Sequence, residues 1–252
     1  VSQEPFLDYP TTISKIGFKG VRLTHKPEYL ISSLLIDAIL SATQQIFDKS
    51  EFTTFDSFRF SESVTSEFLE LTFSIFNESE GFSIIKSNLS WLTDIGDIRL
   101  NNIAYCRFDR EAIFLENIQF EFLLNGNWIP WGGLSDGTKR LFLIVSEIFM
   151  SSNDVFLLEE PELGIHPHQL SKLMAFIKER SKHQQIILTT HSPQVLDVLD
   201  KDELDSIILC EMTEEGSKLR HLADKEKKKA IHYMENEAFL SDYWRFSDLE
   251  KV

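Results

Sequence analysis

The stretch that most constrains this chain runs from Val155 to Pro193, VFLLEEPELGIHPHQLSKLMAFIKERSKHQQIILTTHSP. An apolar run, Val155 to Leu158, ends abruptly in Glu159-Glu160-Pro161. A segment of helical period follows, with Leu170, Leu173, Met174 and Ile177 on one face. A second apolar run, Ile186 to Leu188, ends in Thr189-Thr190-His191. Strand, helix and strand in that order make a βαβ unit, and the crossover makes the two strands parallel. In open parallel sheets, ligands sit beyond the carboxyl ends of the strands. One edge therefore receives two carboxylates from one strand and an imidazole from the next.

That combination suits phosphate chemistry. A carboxylate at the end of a buried strand can hold Mg²⁺, directly or through water. A second one beside it can orient or deprotonate an attacking water. A histidine on the neighbouring strand can donate to a phosphate oxygen. A hydrophobic strand followed by two acids is the Walker B arrangement of P-loop NTPases. Glu159 takes the metal position and Glu160 the water-activating one. An acid pair that merely ends a strand in solvent is common, so the weight of this pair comes from its neighbours.

Just upstream lies Leu134-Ser135-Asp136-Gly137-Thr138-Lys139-Arg140, which leads into a helix with Leu141, Ile144, Val145 and Ile148 on one face. Ser135 suits the N-cap, and Gly137 lets backbone come close to an anion. A helix start offers free N–H groups and a positive dipole end to a phosphate. In isolation this motif is an ordinary capped helix.

Together, LSDGTKR, VFLLEEPELGIHP and LTTHSP resemble the ATP-binding cassette (ABC) ATPases of the RecF, SMC and OLD kind. Among these they resemble in particular the stand-alone bacterial ATPases grouped as AAA_21. The resemblance covers roughly residues 134–199. It implies an α/β fold, an ABC-type P-loop NTPase head with a mainly parallel core sheet, helices and an antiparallel β layer. It implies ATP and Mg²⁺ as cofactors. Ser135, Asp136 and Gly137, with Thr138 after them, match the signature motif, which in relatives touches the γ-phosphate of ATP bound to the partner subunit. Glu159 matches the Walker B acid, with Glu in place of the more usual Asp. Glu160 matches the catalytic base, and Pro161 to Pro167 the D-loop region at the dimer interface. His191 matches the switch histidine that contacts the γ-phosphate.

One departure stands out: no G-x-x-x-x-G-K-S/T occurs in the chain. Gly132 and Gly137 have the right spacing, but Thr138 stands where lysine should be. That segment also follows Pro130-Trp131 and not a buried strand. The Walker A lobe is therefore expected outside these residues. The expected organisation is a single, incomplete head over residues 1–252. Within it, 1–50 holds a strand and a helix, 51–131 is antiparallel β, 132–200 carries the three motifs, and 201–252 is a C-terminal strand and helical tail.

The formal net charge of −15 opposes non-specific DNA binding, because phosphate contacts need Lys and Arg. Two cysteines, Cys106 and Cys210, lack metal-ligand spacing and predict a reduced, cytoplasmic protein. The sequence shows no signal peptide and no apolar run long enough to span a bilayer.

Ile13 to Leu23 reads as a strand or hairpin, and Pro27-Glu28 as the start of a helix to about Phe47, with Ile31, Leu35, Ala38 and Ala42 on one face. Alternation at Phe58 and Phe60, at Leu69, Leu71, Phe73 and Ile75, and at Ile118, Phe120, Phe122 and Leu124 predicts antiparallel strands. Asn125-Gly126 predicts a two-residue hairpin turn. Asp97 to Asn102 reads as loop. Ser192-Pro193 predicts a capped short helix to about Leu199, and Ile207 to Leu209 a last strand. Residues 224–229 form a charged run at a helix start, best read as a solvated face. Tyr243, Trp244 and Phe246 are expected to dock on the body.

His166 and His168, with Glu160, Glu162 and His191, also invite a metal-hydrolase reading. Pro167 between the histidines and the lack of H-E-x-x-H rank it well below the ATPase. The resemblance implies a dimer or higher oligomer acting as a nucleotide-driven switch. A bacterial anti-phage role controlling a protein effector is the leading expectation. A RecF-like DNA-repair ATPase and a non-hydrolysing scaffold are the alternatives. Because no Walker A is present, these residues alone are expected to bind ATP weakly; calorimetric titration showing micromolar affinity would contradict that.

Overall fold

The computed structural model describes residues 20–23, 32–48, 62–101, 105–108, 112–116, 118–150, 155–236 and 239–246. They fall into two compact units, Val1–Ser152 and Asn153–Val252.

The first unit begins with β1 (Gly20–Leu23), α1 (Ser32–Asp48), α2 (Glu62–Glu78), α3 (Glu80–Leu92) and β2 (Ile95–Leu100). Next come β3 (Tyr105–Phe108), β4 (Ala112–Glu116), β5 (Phe120–Leu124) and β6 (Asn127–Pro130). A 3₁₀ turn over Trp131–Gly133 then leads into α4 (Asp136–Met150). Strand β4 pairs parallel with β1 and antiparallel with β3. Strand β5 lies between β2 and β6, antiparallel to both. Leu35, Ala38 and Ala42 of α1 are buried, as their spacing predicts. Phe58, Phe60, residues 13–19, and the expected helix start at Pro27-Glu28 with Ile31 lie outside the described residues.

Two expectations are corrected here. The alternating set Leu69, Leu71, Phe73 and Ile75 lies in helix α2, not in a strand. Phe68, Thr72 and Phe76, four residues apart, are at most 1% exposed and form the buried stripe of that helix. The alternating residues flank the stripe half-buried, so over this short run they mimic a period of two. Asp97 to Asn102, read as loop, contributes most of strand β2. A bulge between Ile95 and Asp97 shifts the register and puts Ile95 and Ile98 both into the core. Three-residue spacing across a bulge conceals the strand period.

The β5–β6 hairpin forms as the sequence predicts. Asn125 and Gly126 both have positive φ, 48° and 77°, and Leu124 pairs with Asn127. A two-residue loop with both residues left-handed matches the twist of the flanking strands.

The phenylalanines build the core of this unit. Phe76 and Phe82 lie 4.4 Å apart between centroids, and both stack toward Phe120. Phe142 of α4 meets Phe122 and Trp131 edge-on at 5.4 Å each. Leu141, Ile144, Val145 and Ile148 bury the same helix. The aromatic cluster thereby fixes α4, and with it the segment Ser135 to Thr138 at its start.

The second unit runs β7 (Val155–Glu159), α5 (Pro167–Arg180) and β8 (Gln185–Thr189), followed by 3₁₀ turns over Pro193–Val198 and Lys201–Ser206. It ends with β9 (Ile208–Thr213), β10 (Gly216–His221), α6 (Asp224–Asn236) and α7 (Leu240–Phe246). Strands β7 and β8 are parallel, and β9 and β10 are antiparallel. The expected last strand is thus the first arm of a hairpin. Leu204, Ile207, Leu209, Leu222, Ala230 and Leu240 form its core, with Tyr243 and Trp244 docked against them. Lys178 of α5 donates to Val198 O at 2.9 Å and to Asp200 at 2.6 Å, and pairs with Glu203 at 2.7 Å. Donating to the Asp200 and Glu203 carboxylates holds the pKa of the Lys178 ammonium above its usual range.

The β7–β8 sheet has one half-buried face, with Phe156, Leu158, Ile186 and Leu188. Its other face carries Val155, Leu157 and Ile187 at 44%, 72% and 47% exposure. Among the described residues, no helix is long and apolar enough to cross a membrane.

Since Phe142 is fully buried within the aromatic cluster, Phe142→Ala is expected to destabilise the chain by about 3–5 kcal/mol. Urea unfolding measures this, and a loss under about 1 kcal/mol would show that the cluster collapses around the gap.

Candidate functional site

The parallel register of β7 and β8 sets the site. Glu159 lies opposite Thr189, the last pair of the ladder. Glu160 N–H donates to Thr189 O at 2.9 Å, carrying the pairing one residue further. The chain then turns sharply, for Glu160 is left-handed at φ 43°. That conformation costs a non-glycine residue about 1–2 kcal/mol. Leu163 N–H donates back to Glu160 O at 3.2 Å, and Ile165 N–H to Glu162 O at 3.1 Å. Gly164 at φ 73° completes the turn without such a cost.

Helix α5 starts at once. His166 is its N-cap, with Nδ1 accepting from His168 N–H at 3.3 Å and Pro167 at the first position. His166 is thus occupied as a cap. Among the described residues, no group of three or more His, Cys, Asp or Glu side chains could hold a metal ion by itself. The metal-hydrolase reading therefore gains no support.

Glu160 and His191 come together at the carboxyl ends of the two strands. Glu160 Oε1 lies 3.6 Å from His191 Nε2. The carboxylate is 29% exposed and the imidazole 91% exposed. Glu159 is also exposed, at the last position of β7. A half-shielded carboxylate can take a proton from water, and an open imidazole can donate to an anionic oxygen.

Behind this pair, Glu162 joins the two loops. Its Oε1 accepts from Thr190 Oγ1 at 2.7 Å, His191 N–H at 3.0 Å and Ser192 N–H at 3.2 Å. Ser192 N–H also reaches Thr190 Oγ1 at 2.9 Å. The expected Ser192 cap is corrected: Pro193 opens a 3₁₀ turn, and the Ser192 side chain makes no capping bond. Sequence reasoning named Glu162 without finding these partners, which lie 28–30 residues away. Only the fold brings them within reach.

Ser135 to Thr138 belong to the first unit. Ser135 caps α4, its Oγ accepting from Thr138 N–H at 3.1 Å and lying 2.8 Å from Thr138 Oγ1. Asp136 is 99% exposed and 3.5 Å from Lys139 Nζ. Gly137 is buried in the first turn.

The family model described as "AAA domain, putative AbiEii toxin, Type IV TA system" (AAA_21) matches residues 9–197. The Arabidopsis thaliana protein "ABC transporter A family member 6" is 37% identical over 71 residues, which is 28% of this chain and 8% of that protein. The chain thus spans under a tenth of that relative's length. Among solved structures, an SMC head domain with an extended coiled coil, bound to the C-terminal domain of ScpA, from Pyrococcus furiosus is similar. It is 17% identical over 83% of this chain and 56% of that one, with a TM-score of 0.46. The SMC head domain from Thermotoga maritima is 17% identical over 58% of this chain and 49% of that one, with a TM-score of 0.39.

Because Glu160 carries its left-handed backbone at a cost, Glu160→Asn is expected to raise stability by a few tenths to about 1 kcal/mol, as asparagine tolerates positive φ better. A lower urea midpoint for this variant would refute strain at Glu160.

Proposed function

The chain belongs to the AAA_21 family of ABC-type ATPases, and from that premise we propose that it is the part of an ATPase head that carries the catalytic acids, the switch histidine and the signature segment. Glu160 activates the attacking water. Glu159 helps hold Mg²⁺, and His191 donates to the γ-phosphate. The observation that carries this reading is the 3.6 Å approach of Glu160 Oε1 to His191 Nε2 at the carboxyl edge of a parallel strand pair. The residues fit the group: Glu159, exposed at the end of β7, offers a carboxylate oxygen of the kind Mg²⁺ prefers, and Glu160 beside it is left for the water. When bound, the metal neutralises charge on the phosphate oxygens. The chain's own part is to orient water and to take and give protons at Glu160 and His191.

ATP lies between two protomers in this reading. Ser135 to Thr138 of one protomer close on the γ-phosphate held by the other, at the positive end of α4. A Walker A segment must come from residues other than these, since the sequence contains none. The bare apolar face of β7–β8 supports a further layer there, because parallel sheets are ordinarily covered on both faces. Hydrolysis then opens the dimer, so that ATP biases a two-state assembly.

The assembly acts as a switch on a separate protein effector. The family description, which names a putative toxin of a type IV toxin–antitoxin system, supports a bacterial defence setting. The net charge of −15 supports a protein partner over DNA. DNA-stimulated hydrolysis with a steep salt dependence would favour the RecF-like repair reading instead.

In the complete protein, Glu160→Gln is expected to retain ATP binding and the closed dimer while lowering kcat by at least about 100-fold. Single-turnover hydrolysis and size-exclusion with ATP test this together. Wild-type turnover in that variant would remove Glu160 as the base.

A further inference from the structure

The Glu160–His191 pair has a weakness. His191 is 91% exposed, and its Nε2 lies 3.6 Å from Glu160 Oε1. An imidazole so open cannot be held by packing, so its position depends on its backbone. That backbone is pinned from one side. Both N–H groups of the loop, His191 and Ser192, and the Thr190 hydroxyl converge on one carboxylate oxygen, Glu162 Oε1.

Glu162 is itself held in the turn that carries Glu160. Pro161, which is buried, precedes it, and Ile165 N–H closes on its carbonyl. The acid at the end of β7 and the imidazole at the end of β8 are therefore tied through a single side chain. We propose that Glu162 is the positioning residue of this site: its carboxylate clasps the Thr190–Ser192 loop and sets the spacing between Glu160 and His191. The inference rests on the ATPase reading for its catalytic consequence, but not for the clasp itself.

The other oxygen, Oε2, is buried and has no hydrogen-bond partner among the described residues. Only one oxygen of the carboxylate is used. Glutamine can present its carbonyl oxygen to the same three donors and place its amide where no bond is lost. Alanine removes the acceptor altogether.

Two readouts separate the clasp from the proposed activity. In amide hydrogen exchange on the full chain, Glu162→Ala is expected to weaken protection at His191 and Ser192 by about tenfold or more, and Glu162→Gln to keep it. Should Glu162→Ala not fold, Glu162→Asp serves: the shorter side chain withdraws the oxygen from the same three donors, and faster exchange is expected at His191 and Ser192. In the complete protein, Glu162→Ala should lower kcat by about 100-fold with KM for ATP within about threefold, and Glu162→Gln should restore most of the rate. Unchanged exchange at His191 and Ser192 in Glu162→Ala overturns the clasp, as does a Gln variant as unprotected as the Ala variant. A wild-type protein without hydrolysis overturns the proposed function, and the exchange measurement still decides the clasp.

Discussion

The parallel pairing of β7 with β8 is the constraint on which the site depends. A parallel pair needs a crossover, here α5, and the crossover returns the chain in the same direction. Both strands must then end at one edge. The register places Glu159 opposite Thr189, so the residues just beyond, Glu160 and His191, emerge side by side. Had the strands been antiparallel, the acids and the imidazole would have ended at opposite edges. The chemistry attributed to this edge follows from strand direction before it follows from any side chain.

The site is not relaxed. Glu160 adopts a left-handed backbone that glycine or asparagine would tolerate more readily. Strain of this kind persists where the surroundings over-determine it. The surroundings here are the ladder bond from Glu160 N–H to Thr189 O and the turn closed by Leu163 and Ile165. Lys178, held between Val198 O, Asp200 and Glu203, ties α5 to the segment beyond the histidine loop. Each loop of the site is thus anchored both at the sheet and behind it.

In the first unit, rigidity comes from aromatic packing. Phe120 and Phe122 from β5, Phe76 and Phe82 from two helices, and Phe142 from α4 share one cluster. A core of large rings leaves α4 little freedom to shift, and its capped start at Ser135 inherits that order. The acidic surface charge and the pairing of Lys178, Lys201 and Lys227 with carboxylates leave these cations already engaged. In the 224–229 run itself, Asp224, Lys225, Lys228 and Lys229 are exposed, as a solvated face requires.

Local signals were enough for much of this. Leu170, Leu173, Met174 and Ile177 repeat at helical spacing and are buried, and Asn125-Gly126 can hardly form anything but a tight hairpin. The order of apolar run, acids, helix, apolar run and histidine fixed the βαβ unit and the edge shared by Glu160 and His191. Such features are readable because each is decided within a few residues, by period or by φ. The sequence could not show that Leu69 to Ile75 lie in a helix, because a short alternation fits either period. The bulge in β2, which breaks the alternation at Ile95, hid that strand for a related reason. Nor could it assign Glu162 its partners. A carboxylate has no preference of its own among distant donors, and it took the folded crossover to bring Thr190, His191 and Ser192 onto one oxygen.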